Sequence, residues 1–87
     1  MRLSDFEPDQ ETAPRYLFEQ VADHIERVIR HAAELRPGAM LPGEADLALA
    51  LAVSIGTVRR ATDVLRRRGV LVTLPAKGTF VATGGGE

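Results

Sequence analysis

The residues best equipped for chemistry lie in one short run, Ser54 to Arg60 (SIGTVRR). Ser54, Gly56 and Thr57 are small or polar, so a helix opening on them brings its backbone close to a polyanion. The hydroxyls and free amides of such a first turn suit phosphate oxygens. Arg59 and Arg60 follow, and an arginine pairs bidentately with a guanine edge or a phosphate. Ile55 has no polar group and suits a thymine methyl instead. Catalytic sets are missing. His24 and His31 are the only histidines, two helical turns apart and too distant to share a metal, and no cysteine or acidic cluster completes a site. Both are expected as solvated surface residues. Gly84-Gly85-Gly86 lacks the lysine and helix of a phosphate loop, and no Ser/His/Asp set has an oxyanion donor. The expectation is therefore a protein that is not an enzyme and takes no cofactor and no metal. Tyr16 and the phenylalanines raise stacking on single strands, but Phe18 falls on an apolar stripe and Phe80 in a strand, which favours core packing.

Two short amphipathic helices must position that run, because Leu41 to Leu65 breaks only around Val53-Ser54, the spacing of a helix-turn-helix. The earlier of the two starts at Pro42 or Gly43, carries Glu44 and Asp46 at the positive end of its dipole, turns Leu47, Ala48 and Leu51 inward, and lasts about two turns. The later one has Ser54 as N-cap and buries Val58, Ala61 and Leu65, with Arg59, Thr62 and Arg66 on another side. Arg66-Arg67-Arg68-Gly69 ends it with cations at the negative pole and a glycine for the C-terminal cap. Upstream, Thr12 and Pro14 signal the start of a long helix striped by Phe18, Val21, Ile25, Val28, Ile29 and Ala32. Arg36-Pro37-Gly38 stops it, and Met40-Leu41-Pro42 is extended, with room for a tiny strand at Met40. Downstream, Val70 to Leu74 and Thr79 to Val81 flank the turn Pro75-Ala76-Lys77-Gly78, forming a hairpin that serves as a wing. The predicted fold is mainly α with small β: a winged helix-turn-helix of three helices plus a two- or three-stranded β wing. Its expected boundaries are a flexible, weakly packing arm at 1–13, the domain at 14–82 and a disordered tail at 83–87.

Composition narrows the rest. A chain of 87 residues holds one domain and buries only about 60–65% of its unfolded surface, so its function belongs on the surface rather than in an enclosed site. Eleven basic residues against twelve acidic ones give a net charge of −1, but the distribution is lopsided. Residues 1–53 hold five arginines and ten carboxylates, whereas residues 54–87 hold six cations and two carboxylates. The positive part contains the candidate reading helix. With no cysteine, no signal-peptide pattern and no apolar run near the roughly 20 residues of a membrane span, a cytoplasmic protein with no membrane partner is expected.

The order YLFEQVADHIERVI, LRPGAMLPGEADLALALAVSIGTVRRATDVLRRRGVL and KGTFV resembles the N-terminal winged helix-turn-helix domain of the GntR family of bacterial transcription regulators, over Pro14 to Ala82. The LPG turn, the V-S-x-x-T-V-R-R-A reading helix and the K-G-T-F-V wing carry the resemblance. It implies a sequence-specific regulator, a repressor by type, that binds double-stranded operator DNA as a homodimer on an inverted repeat. The third helix would enter the major groove and the wing tip the adjacent minor groove. By matching positions, Ser54, Gly56, Thr57 and Arg59 contact DNA from the helix, Lys77 and Gly78 from the wing, and Arg60 touches phosphate. Three positions depart from the pattern: Ala45 and Ile55 stand where arginines are usual, and Ala76 where the wing tip has glycine. Two lost arginines remove contacts worth about 1–3 kcal/mol each if bidentate, which implies weaker binding or a different operator. The family ordinarily continues into an effector-binding, dimerising domain, whereas five residues follow Ala82 here, so no small-molecule effector site is expected. That leaves a small regulator dimerising through its own helices or arm, a partner-dependent DNA-binding subunit, or a monomer on tandem sites. A winged-helix protein-interaction module with merely solvated arginines is the alternative from another class, and the salt dependence of binding separates the two.

Overall fold

The computed structural model describes residues 1–8, 16–31 and 35–83. A 3-10 turn (Leu3–Asp5) precedes helices α1 (Leu17–His31), α2 (Glu44–Leu51) and α3 (Ile55–Arg67), followed by strands β1 (Leu71–Leu74) and β2 (Gly78–Val81). This three-helix, two-strand plan is the predicted winged helix-turn-helix. Along α1, Val21, Ile25 and Val28 repeat at helical spacing and are fully buried, while Phe18 and Ile29 are half-buried at the stripe's margins. Thr12, Pro14 and Ala32, together with residues 9–13 of the expected arm and 84–87 of the expected tail, lie outside the described residues.

The connection between α2 and α3 is made by local chemistry. α2 leaves an extended Gly43 that offers no side-chain cap, places Glu44 and Asp46 in its first turn, and buries Leu47, Ala48 and Leu51. It closes on Ala52 in the left-handed region (φ 58°, ψ 44°). There Val53 N–H donates to Ala48 O (3.0 Å) and Ala52 N–H to Leu49 O (3.3 Å), so the last carbonyls of the helix are satisfied. An alanine in that conformation costs about 1 kcal/mol relative to a glycine. Ser54 then caps α3: its hydroxyl accepts from Thr57 N–H at 3.0 Å, pairing one of the free amides of the first turn.

α3 packs chiefly on α1, presenting Val58, Ala61 and Leu65, all fully buried. Thr62 departs from the sequence reading, which put it with Arg59 and Arg66 away from the buried side: it is buried, 6% exposed. Four residues after Val58, it shares that residue's face, and its hydroxyl donates to Arg59 O at 3.0 Å, which removes the penalty of burying it. At the far end Gly69 adopts φ 78°, with Val70 N–H donating to Leu65 O (2.9 Å) and Gly69 N–H to Arg66 O (3.0 Å), the expected glycine cap.

β1 and β2 pair antiparallel, Leu71 opposite Val81 and Val72 opposite Phe80. The Leu71–Val81 pair is buried and roots the wing in the core. A rudimentary third strand lies at Met40, bridged to Phe80, with Leu41 N–H donating to Thr79 O and Val81 N–H to Ala39 O, both at 2.8 Å. The turn between the strands holds Ala76 at φ 63°. Gly78 is required: at φ 134° an added Cβ would sit 3.0 Å from Met40 Sδ.

The first residues do more than the weakly packing arm expected of them. Leu3 is buried against α1 and α2, only 4% exposed, and Asp5 accepts from Arg2 N–H at 2.8 Å. His24, expected in solvent, is buried beneath this turn. Its Nε2 lies 3.0 Å from Arg2 O and 3.1 Å from Leu3 O, so the ring donates to carbonyls that can only accept. Phe6 packs on the same ring, centroids 5.4 Å apart. A single leucine among polar residues has no periodicity to betray it, and its pocket exists only once α1 and α2 are in place. Among the described residues, no helix is long and apolar enough to cross a membrane.

Candidate nucleic-acid interface

The run Ser54 to Arg60 forms the first two turns of α3, and most of it faces solvent. Ser54 both accepts from Thr57 N–H and donates to Thr57 Oγ1 at 3.0 Å, so two hydroxyls and a set of free amides are held together at one helix end. Ile55 is 40% exposed beside them. Gly56 has no internal reason to be glycine. Its backbone is helical, and an added Cβ would meet nothing closer than Ser54 Oγ at 3.8 Å, an ordinary contact. A glycine in a helix costs about 0.5–1 kcal/mol relative to alanine, so the bare backbone here is a surface that something external can approach.

Arg59 and Arg60 splay in opposite directions. Arg59 leans towards α2, its Nε donating to Glu44 Oε1 at 2.9 Å, with both side chains well exposed. Arg60 leans towards α1, its guanidinium carbon 5.9 Å from the centre of the Phe18 ring. An exposed ion pair contributes only up to about 1 kcal/mol, so Arg59 exchanges Glu44 for another anion at little cost. The wing approaches from the Glu44 side: Lys77 and Gly78 line one groove with Glu44, Leu47, Thr62 and Thr79. On the other side Tyr16, Phe18, Ser54, Gly56, Thr57 and Arg60 line a second cleft. Ser54, Gly56, Thr57 and Arg60 thus share one cleft, while Lys77 and Gly78 line a separate groove with Glu44, the partner of Arg59. Ala45 stands exposed in the first turn of α2, and Ala76 at the wing tip. Among the described residues no group of three or more His, Cys, Asp or Glu is placed to hold a metal.

The cations at the other end of α3 are differently disposed. Arg68 donates to Asp23 (3.0 Å) and Glu26 (2.8 Å) of α1, and Arg30 closes on Glu26 from one turn away at 2.6 Å. The hydrogen bond from Arg30 holds the Glu26 carboxyl below the usual carboxylate range, against the opposing effect of its partial burial and with further help from Arg68. Arg68 is raised above the usual arginine value by its bonds to Glu26 and Asp23. Arg66 pairs with Asp63 and donates to Thr73 Oγ1 at 2.9 Å. The sequence reading counted these arginines with Arg59 and Arg60 as one positive stretch, and the fold spends two of them on internal pairs. It gave Glu44 and Phe18 no part in placing Arg59 and Arg60, because contacts across fifteen and forty-two residues leave no local signature.

The family model described as bacterial regulatory proteins, gntR family, matches residues 17–81. Over 68 residues the chain is 38% identical to the putative L-lactate dehydrogenase operon regulatory protein of Escherichia coli (strain K12), covering 78% of this chain and 26% of that protein. It is 35% identical over 82 residues to the histidine utilization repressor of Klebsiella aerogenes, covering 94% of this chain and 34% of the repressor. The chain therefore spans about a quarter to a third of these two relatives. Its fold is similar to that in the crystal structure of AraR(DBD) in complex with operator ORE1, with a TM-score of 0.74 and 29% identity over 88% of this chain and 94% of that one.

Proposed function

Because the chain belongs to the gntR family of bacterial regulatory proteins, we propose that it binds double-stranded operator DNA sequence-specifically and acts in the bacterial cytoplasm as the DNA-reading part of a transcriptional repressor. The observation that carries this reading is the open first half of α3: Ser54, Gly56 and Thr57 at the tip, Arg59 and Arg60 splayed behind, and a glycine the protein itself does not need. Seated in the major groove, this end places Arg59 against a guanine edge, Ser54 and Thr57 against phosphates and Ile55 against a thymine methyl. Arg60 reaches a phosphate, and Lys77 with Gly78 enters the adjacent minor groove from the wing. Two copies on an inverted repeat complete the arrangement. The operator-bound AraR structure and the repressor named among the relatives support the same reading.

The test is selection of bound sequences from a randomised duplex pool at low and near-physiological salt. The reading expects enrichment of a palindrome and affinity that falls steeply with salt, as counterions released from phosphates require. Enrichment of a single half-site removes the dimer from the account. No enrichment, or binding indifferent to salt, contradicts the reading itself and favours a protein partner.

A further inference from the structure

We infer that the start of α1, with Tyr16 just before it, belongs to the same DNA-contacting surface, the Tyr16 hydroxyl donating to a backbone phosphate and Phe18 acting as the platform that holds Arg60 for a neighbouring phosphate. The inference rests on the DNA-binding reading and adds two residues to it from an element that carries no reading helix.

Three observations converge. Tyr16 is 71% exposed, yet its ring is not loose: it stacks on Phe18 with centroids 5.6 Å apart and planes 20° from parallel. Phe18 is half-buried, anchored on the margin of the α1 stripe, and the guanidinium of Arg60 lies over its ring at 5.9 Å. Tyr16, Phe18 and Arg60 line one cleft with Ser54, Gly56 and Thr57, the tip of α3. The stacked pair leaves the Tyr16 phenol exposed beside the polar end of the reading helix. The chemistry on offer is one fixed cation and one neutral hydroxyl donor side by side, which suits consecutive phosphates on a single strand. A free arginine samples many rotamers, and resting it on an aromatic face reduces what must be ordered on binding. Phe18 is thus a positioning residue and Tyr16 a direct contact.

The test uses the duplex enriched in the selection above and measures affinity across a salt series for the parent, Tyr16→Phe, Arg60→Ala, Phe18→Leu and the double variant Phe18→Leu/Arg60→Ala. Tyr16→Phe keeps the stack and removes only the hydroxyl. It is expected to weaken binding roughly three- to tenfold without changing the salt slope, because a neutral donor displaces no counterion. Arg60→Ala should lower the slope by about one. Phe18→Leu should move both affinity and slope towards Arg60→Ala, and the double variant should be no weaker than Arg60→Ala alone, since both act through one contact. A lesion that merely loosened the fold would lower the melting temperature without altering the slope. If Tyr16→Phe and Arg60→Ala both bind like the parent while Arg59→Ala still loses affinity, the α1 surface is wrong and the DNA reading survives. If the parent itself enriches no duplex, both fall together.

Discussion

The two ends of α3 use the same residue type for opposite purposes. At the C-terminal end Arg68 is clamped by two carboxylates of α1, Arg66 is tied to Asp63 and Thr73, and the last carbonyls are closed by the glycine cap at Gly69. At the N-terminal end Arg59 has one exposed carboxylate partner, Glu44, and Arg60 rests on the Phe18 ring with no carboxylate partner among the described contacts. The cause lies in what each half faces: α1 offers Asp23 and Glu26 to one and Phe18 to the other. A count of cations therefore does not locate a nucleic-acid surface, because it does not distinguish Arg68, held between Asp23 and Glu26, from Arg59 with one exposed partner and Arg60 on an aromatic ring.

This contrast makes stability and binding separable. The largest effect is expected from Leu65→Ala, which empties a fully buried site between α3 and α1 and should lower stability by about 2–5 kcal/mol, read as the midpoint of thermal unfolding by circular dichroism. Next comes Arg59→Ala, expected to cost about 1–3 kcal/mol of operator affinity, roughly ten- to a hundredfold, with the melting temperature almost unchanged. A melting temperature that fell with the affinity would mean that the N-terminal end is structural after all. Ser54→Ala touches both properties. It removes the cap on Thr57 N–H and should cost about 1 kcal/mol of stability, a fall of about 4–8 °C for a domain this size, together with part of the DNA affinity.

The smallest effect concerns acid. Glu26 is held below its ordinary range, so its ion pairs stabilise the folded state above the unfolded carboxylate pKa of about 4.3, and that contribution is lost as pH falls through the lowered folded value. With Arg68 more than a third exposed, the contribution is about 0.5–1 kcal/mol after solvent screening. Glu26→Gln should therefore lower stability at neutral pH by that amount, flatten the acid limb of the stability curve and leave operator affinity unchanged.

Much of this arrangement was legible in the residues themselves. The apolar stripes, the Ser54 cap, the Gly69 stop and the hairpin all act within one or two turns of chain, which is the range that sequence pattern reports. The bridge at Met40 was legible as well, because the proline after Leu41 forbids helix there. What was missed acts over distance or through a single bond. Thr62 passed for a surface residue until its hydroxyl found the Arg59 carbonyl. His24 passed for a solvated one until the carbonyls of Arg2 and Leu3 settled over it. The left-handed alanines, Ala52 and Ala76, sit where glycine is the usual signal, so the turns were found from their neighbours rather than from the residues that bend.

The central claim, that one end of α3 is kept open for DNA and the other is consumed by the fold, is tested most directly by titrating the isotope-labelled protein with the selected duplex and following backbone amides by NMR. The account predicts large shifts at residues 54–60 and 77–78, with residues 23–30 and 66–70 nearly still. Shifts concentrated on the α1 face at 23–30 and the end of α3 at 66–70, with 54–60 unmoved, would contradict it.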